Sequence, residues 1–176
     1  MKKSQFVFSL IMLVVLLVAV GEGVHYYDKS IGKTYSVDQI DSKANMPYIT
    51  NIIQETQTNT NFRKVLFTGT RSQIVVMNIL PGGEVGDEVH TYTEQTLFFL
   101  SGTGKAILNG KESPIVAGDV VVVTPGTEHN FINTGIVPLK IYTIYAPPNH
   151  IDGTTEATKE EADANVQDEA YGNQPK

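Results

Sequence analysis

Cysteine is absent from this chain of 176 residues. No disulfide can form and no thiol is available for a lipid anchor, so the fold must hold by packing alone. Positive charge is in short supply, with thirteen Lys and Arg against nineteen Asp and Glu and a net charge of -6. The basic residues are scattered and form no stripe, which excludes nucleic acid as the expected partner. Long apolar runs are missing except at the start, where residues 6–20 are interrupted only by Ser9. Before residue 155 no other stretch has a good helical period, and no nucleophile stands beside an obvious base.

What the N-terminus does have is a targeting pattern. Met1-Lys2-Lys3 is basic, the apolar run follows, and Ala19-Val20-Gly21 offers small residues at a cleavage spacing. A bilayer core takes roughly 20 apolar residues, more than this run supplies. Residues 1–24 are therefore expected as an apolar helix that is either a cleaved signal peptide or a retained membrane anchor, the latter giving membrane contact. Both readings export the domain and keep the lysines inside. Cleavage would remove two lysines and no acid, leaving a more acidic, soluble chain.

Residues 25–61 read as an irregular linker, ending in the Thr, Gln and Asn tract 54–61. Residues 48–53 fit a short helix or an edge strand. From 62 to 150 short strand-forming runs alternate with turn residues at the spacing of a sandwich or barrel. The strongest hairpin signal is Asn109-Gly110, since both central positions of such a turn favour positive φ. Ala146-Pro147-Pro148 stops the last strand, because proline donates nothing to a ladder. Residues 151–176 form an acidic tail in which 158–164 suits a short surface helix and 171–176 reads as disordered. His25 and His150 lie outside any motif and are expected to face solvent.

Within the β region, Glu88 and His90 are two apart, so a strand points both to one face while Val89 packs on the other. Gln95 returns on the next strand, and His129 follows the Thr124-Pro125-Gly126 turn on a later one. Four oxygen and nitrogen donors converging in an apolar barrel would suit a divalent transition metal, with Mn, Fe, Ni and Zn all compatible. Glu94 is the competing neighbour of Gln95, and strand parity decides which one faces inward. The bland alternative makes Glu88 and His90 a surface ion pair worth about 0–1 kcal/mol. Leu97 and Phe99 share the parity of Gln95 and would give the pocket an apolar floor, whereas Tyr142 and Tyr145 are expected as core packing. Asn133, with Gly135, reads as a structural turn.

These spacings have a family likeness. Gly82, Glu88, His90, Gln95 and Gly102 resemble the first motif of the cupins, and Gly118, Thr124, Gly126, His129 and Asn133 resemble the second. Residues 62–69 and the ending Tyr142-Thr143-Ile144-Tyr145-Ala146-Pro147-Pro148 look like those of small single-domain cupins, and the likeness covers roughly residues 62–161. It implies an all-β jelly roll, the double-stranded β-helix. It also implies a metal held by Glu88, His90, Gln95 and His129, with Glu88 at a position usually taken by histidine and Gln95 at the usual glutamate.

The function that follows as an expectation is an exported cupin that binds a metal and acts on a small organic molecule, with Glu88 as a candidate general base. A module that binds a sugar-like ligand without turnover, or serves an envelope assembly, is the competing expectation. Strands apolar on both faces, 74–76 and 120–123, point to coverage by another sheet and to a homodimer.

Overall fold

The computed structural model describes residues 47–175, together with the backbone of three short strands nearer the N-terminus. Those strands, β1 (Leu16–Ala19), β2 (Val24–Asp28) and β3 (Lys33–Ser36), pair antiparallel in that order within a unit spanning Met1–Ser42. Of the apolar run expected as a helix, the described part is thus extended; the remainder lies outside the described residues, as does the His25 side chain. Strands β2 and β3 also fall where an irregular linker was expected. Among the described residues no helix is long and apolar enough to cross a membrane.

The second unit, Lys43–Lys176, opens with helix α1 (Ile52–Thr58). The ambiguous stretch 48–53 is therefore the approach to a helix, started by Asn51, whose side chain accepts the Gln54 N–H at 3.1 Å. Strands β4 (Arg63–Thr68), β5 (Gln73–Ile79), β6 (Glu88–Val89), β7 (Glu94–Ser101), β8 (Thr103–Leu108), β9 (Lys111–Val116), β10 (Val120–Val123), β11 (Glu128–Asn133), β12 (Leu139–Ala146) and β13 (Thr155–Glu156) follow, then helices α2 (Lys159–Asp163) and α3 (Val166–Gly172). They make a six-stranded sheet in the order β10-β7-β12-β5-β4-β13 and a four-stranded sheet in the order β6-β11-β8-β9, antiparallel throughout. This is the expected jelly roll.

Period-two burial fixes which face each strand gives the core. In β12, Leu139, Ile141, Thr143 and Tyr145 are buried while the residues between them are more open. In β7 the buried set is Gln95, Leu97 and Phe99. Phe99 reaches across to Phe131 of the other sheet with ring centroids 5.6 Å apart. Each such side chain removed from water contributes roughly 1.5–3 kcal/mol. The β8–β9 hairpin turns at Asn109 and Gly110 with φ of 48° and 75°, as those residue types require. Gly102 lets β7 run directly into β8: its φ is +90°, and a Cβ there would lie 2.8 Å from the Pro138 carbonyl. Asn133 serves the turn as expected, donating to Ile79 and Val137 carbonyls and accepting from the Gly135 N–H.

The C-terminal tail holds the short helix expected over 158–164 and more structure besides. Residues 155–156 add a strand to β4, and α2 and α3 extend the described order to residue 175. The cause is Arg63, which shares the inward parity of Val65 and is buried. Its guanidinium donates to both carboxylate oxygens of Glu156, at 2.9 and 3.1 Å, and to Asp168 at 3.2 Å. A buried cation needs such partners, and among the described residues the tail supplies them. His150, expected at the surface, is 4% exposed and bonded through Nδ1 to Asp168 at 2.6 Å.

Candidate metal centre

Strand pairing brings the first donors together. Glu88 on β6 lies directly opposite His129 on β11, so their side chains share a face, and His90 is two residues beyond Glu88 on the same side. Glu88 Oε2 lies 3.5 Å from His90 Nε2 and 3.8 Å from His129 Nε2. One donor atom from each of the three residues falls within a 4.8 Å span. Donors about 2.1 Å from a common first-row ion sit roughly 3.0–3.4 Å apart, so only a small contraction separates this arrangement from a coordination sphere. Glu88 and His90 do form a half-buried pair, 32% and 11% exposed, and His129 joins it with the two imidazole centroids 5.0 Å apart.

The protonation pattern of His129 suits a ligand. Its Nδ1 lies 2.9 Å from the Thr127 carbonyl, which can only accept, so Nδ1 carries the hydrogen and Nε2 keeps a free lone pair. Burial lowers the His129 pKa, only partly opposed by that bond, and the ring is neutral. Its Nε2 is buried without a hydrogen-bond partner. Burial also pushes the Glu88 carboxyl up to about 7, against the pull of Arg63 and Lys159.

Gln95 is 2% exposed whereas Glu94 is exposed, so parity has turned the carboxamide inward. Its Nε2 donates to the Tyr145 hydroxyl at 2.8 Å, and its Oε1 is buried with no hydrogen-bond partner. The Tyr145 ring stands edge-on to His90 with centroids 5.7 Å apart. Burial, and then the Glu88 charge, raise the Tyr145 pKa, so this phenol stays neutral. Sequence reading gave Tyr145 to core packing by default, with pocket lining as the lesser reading; it links Gln95 to the histidine cluster. Leu97 and Phe99, at 0% and 2% exposure, are inward as expected.

Glu88 and His90 open onto a cavity of about 320 Å³ whose far wall comes from residues 149–173. Arg63, His150 and Asp168 line it too. Sequence reading missed these three, although a charged residue at an inward position of β4 was a usable signal.

The comparisons with known proteins agree with this geometry. The family model described as "Cupin domain" matches residues 75–145. The uncharacterized protein YrkC of Bacillus subtilis is 40% identical over 123 residues, covering 66% of each chain. The crystal structure of BH2720 from Bacillus halodurans is 36% identical with a TM-score of 0.67, covering 68% of this chain and 96% of that one. The oxalate-binding protein of Thermotoga maritima is 35% identical over 68 residues, 39% of this chain and 56% of its own. Two sheets closed over Phe99 and Phe131, with Glu88, His90 and His129 grouped together and relatives matching over this same domain, make this chain a member of the small cupin family.

Proposed function

We propose that this cupin holds one divalent transition metal on Glu88, His90 and His129, with Gln95 Oε1 as the fourth protein donor, and binds a small organic molecule in the adjoining cavity. The observation that carries the reading is the His129 tautomer, which leaves an unpartnered Nε2 lone pair beside the Glu88 carboxylate. One carboxylate, one carboxamide and two imidazoles suit Mn, Fe, Ni or Zn. When bound, such an ion supplies Lewis acidity toward an oxygen of the ligand. Around it the chain does the rest. Glu88, on leaving the ion, would take up a proton as general base. Tyr145 holds a neutral hydroxyl against Gln95.

The purified protein is expected to carry close to one equivalent of metal by elemental analysis. Glu88→Ala and His129→Ala should each abolish occupancy, while Glu94→Ala should leave it intact. No metal after incubation with Mn, Fe, Ni and Zn in turn would overturn the reading. Binding without turnover is the second reading, favoured by the Thermotoga relative, whose name is that of an oxalate-binding protein. Export through residues 1–24 belongs to the proposal as well, supported by the basic start and apolar run; N-terminal sequencing of the protein recovered from membrane and soluble fractions tests it. A homodimer through the outer face of the larger sheet completes it, supported by Val120 and Val122, each more than half exposed.

A further inference from the structure

The chain that leads into the metal centre changes register as it runs along β11. Glu84 lies opposite Ile132, and Glu88 lies opposite His129. Four steps along one side are thus matched by three on the other, which makes a β-bulge of one extra residue. Backbone bonds hold the chain before the bulge: the Val85 N–H donates to the Phe131 carbonyl at 3.0 Å, and the Gly83 carbonyl accepts from the Asn133 N–H at 2.9 Å. Beyond it, β6 is two residues long and offers little pairing of its own.

The bulge lies across from Asn130. Parity points this side chain away from His129 and Phe131, whose rings meet on the core side, yet it is 4% exposed. Its Oδ1 accepts the Gly86 N–H at 3.0 Å, and its Nδ2 donates to Glu84 at 2.9 Å and to Asp87 at 3.2 Å. Gly86 itself has a φ of +106°, which favours glycine. One carboxamide therefore grips the segment on both sides of the extra residue.

The bulge decides which side chains turn inward. Opposed residues in an antiparallel pair share a face, so the Glu84–Ile132 register continued without a bulge would set Asp87 against His129. Glu88 and His90 would then turn to the outer face, with Asp87 and Val89 in their places. A slip of one residue removes two of the three clustered donors.

We propose that Asn130 is a positioning residue for the metal centre: it holds the bulge at Gly86, and the bulge turns Glu88 and His90 toward His129. The inference rests on the metal reading above for its consequence, but the register is measured without metal.

Cross-strand nuclear Overhauser contacts in the metal-free full-length protein should pair Glu88 with His129, and Asn130→Ala should lose that pairing. In a cobalt(II) titration followed by visible absorption, Asn130→Ala should bind at least about tenfold more weakly, the loss typical when groups that orient ligands are removed. Deleting Gly86 in the Asn130→Ala background takes out the extra residue and returns Glu88 to His129 in plain register. It should restore cobalt affinity to within about threefold of the parent, a rescue that a merely structural asparagine would not allow. Circular dichroism checks folding. Should Asn130→Ala fail to fold, Asn130→Asp carries the test with the same losses expected, since it keeps the Oδ1 acceptor and sets a carboxylate against Glu84 and Asp87. Glu88 still paired with His129 in the folded variant overturns the proposal, as does cobalt affinity unmoved by the substitution or unrestored by the deletion. A parent protein that takes no cobalt sinks the metal assignment alone, and the cross-strand contacts then decide the role of Asn130.

Discussion

Glu88 carries a stability cost once its carboxyl ionises. Its folded pKa, about 7, lies above the ordinary carboxylate range near 4.3, so the metal-free fold binds its proton more tightly than the unfolded chain does. Stability is therefore lost as pH rises through that window and stays lost above it. Glu88→Gln in metal-free protein should raise Tm by a few degrees at pH 8, change it little at pH 4, and abolish metal binding; thermal melts at the two pH values check this. A carboxyl kept at the expense of stability points to function. At this scale the sequence was readable where parity applied: the strand that buries Leu97 and Phe99 also buries Gln95 and turns Glu94 out. It was not readable for His150, because a single histidine after Pro147-Pro148 has no periodicity to reveal what it will meet.

Among the elements, the C-terminal segment is tied to the barrel through charge more than through apolar area. Arg63→Ala would leave Glu156 and Asp168 as buried carboxylates and should cost about 3–5 kcal/mol in urea unfolding. Hydrogen exchange should then quicken across 155–172 ahead of the β7–β12 core. Acid loosens the same junction in two stages. Burial sets the His150 pKa below its ordinary value, outweighing the Asp168 hydrogen bond, and His129 is lowered likewise by burial. Since the unfolded chain takes up these protons first, stability should fall as pH drops below about 6.5. Asp168 adds a lower step: burial would raise its pKa, but bonds from His150 and the Ile151 N–H, with Arg63 nearby, bring it below the ordinary value. Its contribution is complete above about 3.9 and disappears as pH falls through the lowered value. Denaturant midpoints between pH 8 and 3 would test both stages. The sequence marked 158–164 as helix-prone, and Thr158 does cap α2, accepting from the Glu161 N–H at 3.2 Å. That this helix and the one after it close a cavity was not legible, since the partners in the Arg63 cluster are more than ninety residues apart.

For the whole molecule, the sheet face carrying β10 is the open question of assembly. Val120 and Val122 are 54% and 51% exposed, Ile144 adds to them, and Phe98 stacks on Tyr142 at 4.7 Å between neighbouring strands. An edge strand with apolar residues outward favours pairing unless something covers it. Light scattering should find a dimer, and Val122→Lys should shift it to monomer without loss of metal. The other run read as two-sided apolar met a different fate: Val76 is fully buried, and α1 packs on the same sheet through β5 and β12. The same sequence signal thus marked one face covered within the chain and one left open.

By itself the sequence determined the all-β class, the turn positions and the shared face of Glu88 and His90, because strand periodicity and turn chemistry are local properties of the chain. Only the tertiary structure decided that β6 would lie against β11 and bring Glu88 to His129, that the tail would answer the charge of Arg63, and that His150 would be buried against Asp168. Those outcomes depend on burial and on charges meeting across long sequence separations, where the cost of an unpaired group is set by surroundings that no local pattern encodes.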